Sequence, residues 1–148
     1  MRIEYQFLEP GKLSGKIVDG VNFFLRQLDE RRFRPLSTEE LREALESLQI
    51  VIAIDRHRGD ELMVGMGALS KVQTLEGLVG YLKHFAVHPD YRDRGVGNEL
   101  LGKLLVRARA DNIVQVVTIL PPGAVEMRRL LQRRSFRGTG PSYLLSVM

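Results

Sequence analysis

The sequence predicts an α+β fold, a mixed and mostly antiparallel sheet flanked by helices, built as a single domain over residues 1–148. Three observations predict it. Two amphipathic helical stretches precede any sizeable sheet, three β-type runs then follow one another across short turns, and the rest of the chain passes through helix, buried strand, helix and short strand. With 44% hydrophobic and 27% charged residues in 148, the chain has a globular balance and enough length for one real core.

Each element has a local reason. Arg2 to Phe7 alternates polar and apolar side chains and reads as a strand, ended by Glu9-Pro10-Gly11. Ile17, Val21, Phe24, Leu25 and Leu28 fall on one helical face, predicting a helix over about residues 14–31. Ser37 with Glu40 is a capping box that opens a second helix, whose stripe is Leu41, Ala44, Leu45 and Leu48. Ile50–Asp55, Leu62–Gln73 and Leu78–His88 are strand-like runs joined by turns at Arg56–Glu61 and Thr74–Gly77, which makes three consecutive antiparallel strands. Beyond a Pro-Asp turn and a Gly-rich bend come a helix at 97–110, a buried strand at 113–120, a helix at 124–134 and a short strand at 143–147. There is no internal repeat, linker or low-complexity segment.

Composition excludes several chemistries. The chain has no cysteine, so disulfides, thiolate metal sites and cysteine nucleophiles are ruled out, and no metal ligand set is read from it. No apolar run approaches the roughly 18 residues of a membrane span and the start lacks a signal-peptide shape, from which we expect a cytoplasmic, soluble protein with no membrane partner. Charge is uneven. Residues 1–80 carry 11 Lys and Arg against 13 Asp and Glu, whereas residues 81–148 carry 11 against 5. The second half therefore calls for an anionic partner.

The segment Tyr81 to Leu101 says which anion. A strand runs into a bend holding Gly95 and Gly97, and the helix that follows buries Leu100, Leu101, Leu104, Leu105 and Ala108. The first N–H groups of such a helix have no intrahelical acceptor and the positive dipole end lies there, so a phosphate fits; Arg92 and Arg94 add charge. No Gly-Lys-Ser/Thr follows, which excludes a P-loop, and Leu100 stands where a dinucleotide fingerprint needs its third glycine. What remains, Arg92-x-x-Gly95-x-Gly97 after Phe85-Ala86-Val87-His88-Pro89, resembles the signature of the GNAT superfamily of N-acetyltransferases. The order of elements resembles that family along nearly the whole chain.

The resemblance implies an acyl-CoA N-acyltransferase fold, acetyl-CoA as co-substrate without a metal, and acyl transfer to a primary amine by direct attack in a ternary complex. It also implies a cofactor site. Phe85, Ala86 and Val87 would give backbone groups to the pantetheine arm, while Arg92, Asp93, Arg94, Gly95, Val96, Gly97 and Asn98 would surround the pyrophosphate. The family's catalytic groups are less well matched. Leu131 occupies the place of its tyrosine acid, Pro121-Pro122-Gly123-Ala124 that of its asparagine, and Tyr81 that of a common glutamate base. The candidates left are His84 as base, Tyr143 on the closing strand as acid, and Tyr81 in the acceptor pocket.

Arg128, Arg129, Arg133, Arg134 and Arg137 form a basic cluster that reads as a solvated face, or as a partner for the adenosine 3′-phosphate or an acidic macromolecule. Glu39, Glu40, Glu43 and Glu46 form a corresponding acidic face, which could draw a cationic amine. With 7% aromatics and no tryptophan, the chain offers few stacking platforms, which makes nucleic-acid binding through the arginine cluster the weaker reading. The expected partner is therefore a small-molecule or peptide amine, bound by a monomer or homodimer. A non-catalytic acyl-CoA-sensing or partner-binding module is the alternative, because it needs neither the tyrosine nor the glutamate.

Overall fold

The computed structural model describes residues 2–121, 123–139 and 142–147. In chain order these form β1 (Ile3–Phe7), α1 (Gly15–Leu28), α2 (Thr38–Ala44), β2 (Leu48–Asp55), β3 (Leu62–Thr74), β4 (Gly77–Val87), α3 (Val96–Ala110), β5 (Ile113–Ile119), α4 (Val125–Arg133), β6 (Arg137–Thr139) and β7 (Ser142–Ser146). All seven strands join one sheet in the order β1-β2-β3-β4-β5-β7-β6. Every neighbouring pair is antiparallel except β4 and β5, which run parallel on either side of α3. The expected mixed sheet forms, with one unforeseen strand, β6.

Helix ends follow their side chains. Ser14 accepts from the Ile17 amide at 3.2 Å and opens α1. The helix stops at Leu28, short of the expected residue 31, because Asp29 turns extended at φ −155°. Asn22 then pins the returning chain, donating to the Leu36 carbonyl at 3.0 Å and accepting from its amide at 2.7 Å. The Ser37–Glu40 capping box starts α2 with both of its hydrogen bonds made.

The sheet is buried on both faces through its middle, which is why Ile50 to Ile54 reads as an unbroken apolar run. Ile50, Ile52 and Ile54 pack with Met66, Ala68, Phe24 and Leu41 beneath α1 and α2. Val51 and Ala53 face the other way, into the cluster of Leu100, Leu101, Leu104, Leu131 and Phe136 under α3 and α4. Close approach of α3 depends on two glycines in β3. A Cβ at Gly65 would stand 2.9 Å from Leu100, and one at Gly67 would stand 2.8 Å from the Phe85 ring.

Two irregularities open the sheet. Between the Met66–Ala86 and Ala68–Lys83 pairs, β4 carries one residue more than β3, and His84 sits in this bulge with φ of 52°. Pairing of β4 with β5 also stops after Tyr81–Val117, so residues 82–87 lack a neighbour on that edge. At the fork, the buried Thr118 hydroxyl donates to the Leu82 carbonyl at 3.1 Å, satisfying a group that the lost ladder would have held. Thr118→Val preserves shape but strands that carbonyl, so urea denaturation should show a loss of about 1–2 kcal/mol. Unchanged stability would mean that water serves the fork equally well.

Candidate active site

The gap between β4 and β5 leads to a cavity of 680 Å³ lined by β4, the bend before α3, the first turn of α3 and α4. Gly95 caps α3 in the left-handed region, φ 82°, where any other side chain is strained. The first bond of the helix runs from the Glu99 amide to the Gly95 carbonyl at 3.0 Å. The amides of Val96, Gly97 and Asn98 therefore lack intrahelical acceptors, and all three residues line the cavity at the positive end of a 15-residue helix. Main-chain groups so placed form a cradle that can hold an anion.

Three contacts hold the cradle in place. Tyr91, which lines the cavity, donates its hydroxyl to Asp55 at 2.6 Å, across 36 residues of sequence. Asp55, only 7% exposed at the end of β2, also accepts from the Arg2 amide at 3.1 Å and the His57 amide at 3.0 Å. These donors, the tyrosine first, bring its carboxyl down to about 2. Arg94 lies over the Tyr91 ring at 5.5 Å, which places its charge beside the bend. On the opposite wall, Arg134 donates to the Asn98 side chain at 2.9 Å and to the Asn98 carbonyl at 3.0 Å, tying the end of α4 to the start of α3. Gly102 makes room for that guanidinium, since a Cβ there would stand 2.8 Å from it.

The structure brings together on the cavity wall Phe85, Ala86, Val87, Arg92, Asp93, Gly95, Val96, Gly97 and Asn98. Arg94 stands outside that wall, on Tyr91. Arg92 reaches Glu126 of α4 across the mouth, 3.9 Å apart. His84 sits in the bulge outside that wall, surface-accessible at the residue level but with its ring partly shielded, so that its imidazole is held below the usual histidine range, first by desolvation and second by Lys83. Tyr81 is the last paired residue before the fork and partly exposed. Tyr143, by contrast, is 6% exposed, with its ring in the α3–α4 core against Gly138 and off the cavity. Leu131 is fully buried there too, whereas its neighbour Leu130 lines the cavity.

The arginine cluster is divided by geometry. Arg133 lines the cavity, Arg134 braces α3, and Arg137 lies on β6 beyond the helix. Sequence reasoning missed Asp55, Tyr91 and Gln27, and read Arg134 as part of the basic cluster rather than as a brace on α3. Gln27 donates to the Val87 carbonyl at 3.3 Å, joining α1 to the free end of β4. Among the described residues no group of three or more His, Asp or Glu is placed to hold a metal ion, and no helix is long and apolar enough to cross a membrane.

A family model described as "Acetyltransferase (GNAT) family" matches residues 21–136, and the chain belongs to that family. Solved structures agree in fold. An acetyltransferase of Trypanosoma brucei superposes with a TM-score of 0.72 at 21% identity, covering 93% of this chain and 94% of its own. The NatC complex bound to Gag peptide and CoA gives 0.77 at 15% identity over 100% of both chains. Glucosamine-6-phosphate N-acetyltransferase of Arabidopsis thaliana gives 0.74 at 14% identity over 95% of each. No curated protein matches the chain.

The Tyr91–Asp55 bond yields a pH prediction. A carboxyl lowered to about 2 from 3.8 contributes stability that is complete above pH 3.8 and is lost as pH falls through about 2. Tyr91→Phe removes the main cause, so the variant should melt below the parent at pH 7, with the two melting curves converging near pH 2. Parallel curves at all pH values would show that the bond does not govern Asp55.

Proposed function

We propose that this protein transfers an acetyl or other short acyl group from acyl-CoA to an amine in a ternary complex. The carrying observation is the open edge of β4 running directly into unpaired amides at the start of α3. A pyrophosphate fits those amides, and an extended pantetheine fits beside a strand edge whose partner has turned away. Acyl-CoA supplies the activated thioester carbonyl. The chain supplies position and polarity: the freed backbone beside the bulge aims dipoles at the carbonyl, and the walls of the fork hold the amine against it.

In the chemical step the amine nitrogen forms the new C–N bond as the thioester C–S bond breaks, with the electron pair leaving on sulfur and a proton passing from nitrogen to base. His84 is assigned the base role. It stands at the bulge, and its lowered pKa keeps the imidazole neutral at neutral pH. No side-chain acid is required, since a thiol with an unperturbed pKa of about 8.5 is a tolerable leaving group. Fully buried Leu131, where a proton donor would be expected, favours a second reading as an acyl-CoA sensor that binds without turnover. Thiol release over an amine panel decides: binding of acetyl-CoA with no release from any amine supports the sensor.

Two variants test the site. A Cβ at Gly97 meets Leu130, Val87 and Phe85 at 3.4–3.7 Å, so the backbone tolerates a side chain that a bound phosphate would not. Gly97→Glu should weaken acetyl-CoA by at least about 2 kcal/mol in calorimetry while the melting curve stays cooperative. Equal affinity in a folded variant sinks the cradle assignment. His84→Gln should lower kcat by roughly 10²-fold and abolish the fall in rate at acid pH, a limb expected below the ordinary histidine value of 6.5. A parent-like profile removes His84 from the mechanism.

A further inference from the structure

The transferase reading leaves the acceptor open, and the face of the sheet beyond the fork narrows it. Ser70, Tyr81, Val117, Leu144 and Arg137 are successive register partners across β3, β4, β5, β7 and β6, so their side chains share one face in a single row. It is the face that α1 and α2 cover over β2, β3 and the end of β4. No described residue of β5, β6 or β7 belongs to the core beneath those helices. Tyr81, Val117 and Leu144 are accordingly only partly covered, and Val72 and Ile119 flank them at 41% and 68% exposure.

Charge on the strands beyond the fork has one sign. The strands β4, β5, β6 and β7 contain no aspartate or glutamate, while Lys83 and Arg137 are exposed and make no ion pair among the described residues. The loop after α1, which starts beside the cavity at Leu28, adds Arg31 and Arg34 on the same terms. Its two acids are already engaged, Asp29 with Arg32 and Glu30 with Arg26. On α2, Glu39 pairs with Arg42 and Glu40 serves the cap, while Glu43 and Glu46 are exposed without an ion pair among the described residues, on and just after the helix that packs over the other half of the sheet.

Resting on that transferase reading, we propose that the acceptor is the free amino end of an extended peptide with an apolar second residue and an acidic fourth. The row gives the spacing. Three strand separations of about 4.8 Å put Arg137 about 14 Å from Tyr81, and an extended chain advances about 3.3 Å per residue. An amine held at the fork thus brings its fourth residue within reach of Arg137, with Val117 and Leu144 beneath the stretch between. Residues two and four of an extended chain point to the same side. A second cationic group at the fourth position would meet the like charge of Arg137.

The experiment measures thiol release at saturating acetyl-CoA with four peptides: Ala-Leu-Ala-Glu, Ala-Leu-Ala-Gln, Ala-Leu-Ala-Lys and Ala-Leu-Glu-Ala. The peptide ending in glutamate should exceed the one ending in lysine in kcat/KM by at least about tenfold, the worth of one charge-assisted contact. Moving the acid to the third position should forfeit most of that gain. Arg137→Glu should invert the order of the glutamate-ending and lysine-ending peptides while leaving KM for acetyl-CoA unchanged. Equal use of the three terminal side chains, an order unaltered in Arg137→Glu, or better use of free glutamate than of any peptide would overturn the inference and leave the transferase reading standing. No thiol release from any acceptor, with acetyl-CoA bound, would overturn both.

Discussion

A parallel strand pair that separates halfway along is the constraint on which the remaining architecture turns. Up to Tyr81 the β4–β5 ladder is ordinary; beyond it, each strand has an edge that must be satisfied otherwise. Thr118 caps one carbonyl at the point of division, Gln27 reaches from α1 to another at the far end, and the bulge at His84 turns the strand between them. The opening is thus fastened at both ends and kept free in the middle. Such an edge is costly unless something pairs with it, and an extended ligand is the natural occupant.

The two faces of the sheet divide the work. On one, α3 and α4 are locked together through Arg134 and Asn98, and a cradle that can hold an anion is formed by amides that cannot rotate away. On the other, α1 and α2 cover half of the sheet and leave the half beyond the fork only partly covered. Asp55 links distant parts of this arrangement, since one buried carboxylate receives the second residue of the chain, the turn after β2 and the tyrosine that opens the bend.

How much of this could be read from the residues depended on the range of the interactions concerned. The Ser37–Glu40 box and the stripe of α3 are local and sit where periodicity placed them, whereas on α1 the buried face centres on Val18, Val21 and Phe24, and Leu28 at its end is exposed. The Gly95–Gly97 bend was legible because left-handed backbone and close ligand approach each demand glycine. β6 was not, because Arg137-Gly138-Thr139 is too short to show alternation and is a strand only by pairing with β7. The bulge that sets His84 at positive φ exists only in the register of two strands, and the Asp55–Tyr91 bond joins residues with no local relation. The arginines looked like one feature because they crowd into ten residues; the helix end at Arg133 and the turn at Ser135, φ 68°, distribute them.

Main-chain recognition at the start of α3 also bears on how such a chain can change over time. Amides belong to every residue except proline, so the cradle asks the sequence for little beyond a bend and a helix start. Substitutions on the half of the sheet beyond the fork leave those amides where they are. Side chains on that half can therefore be exchanged without moving the start of α3, so the two halves of the sheet are separately mutable.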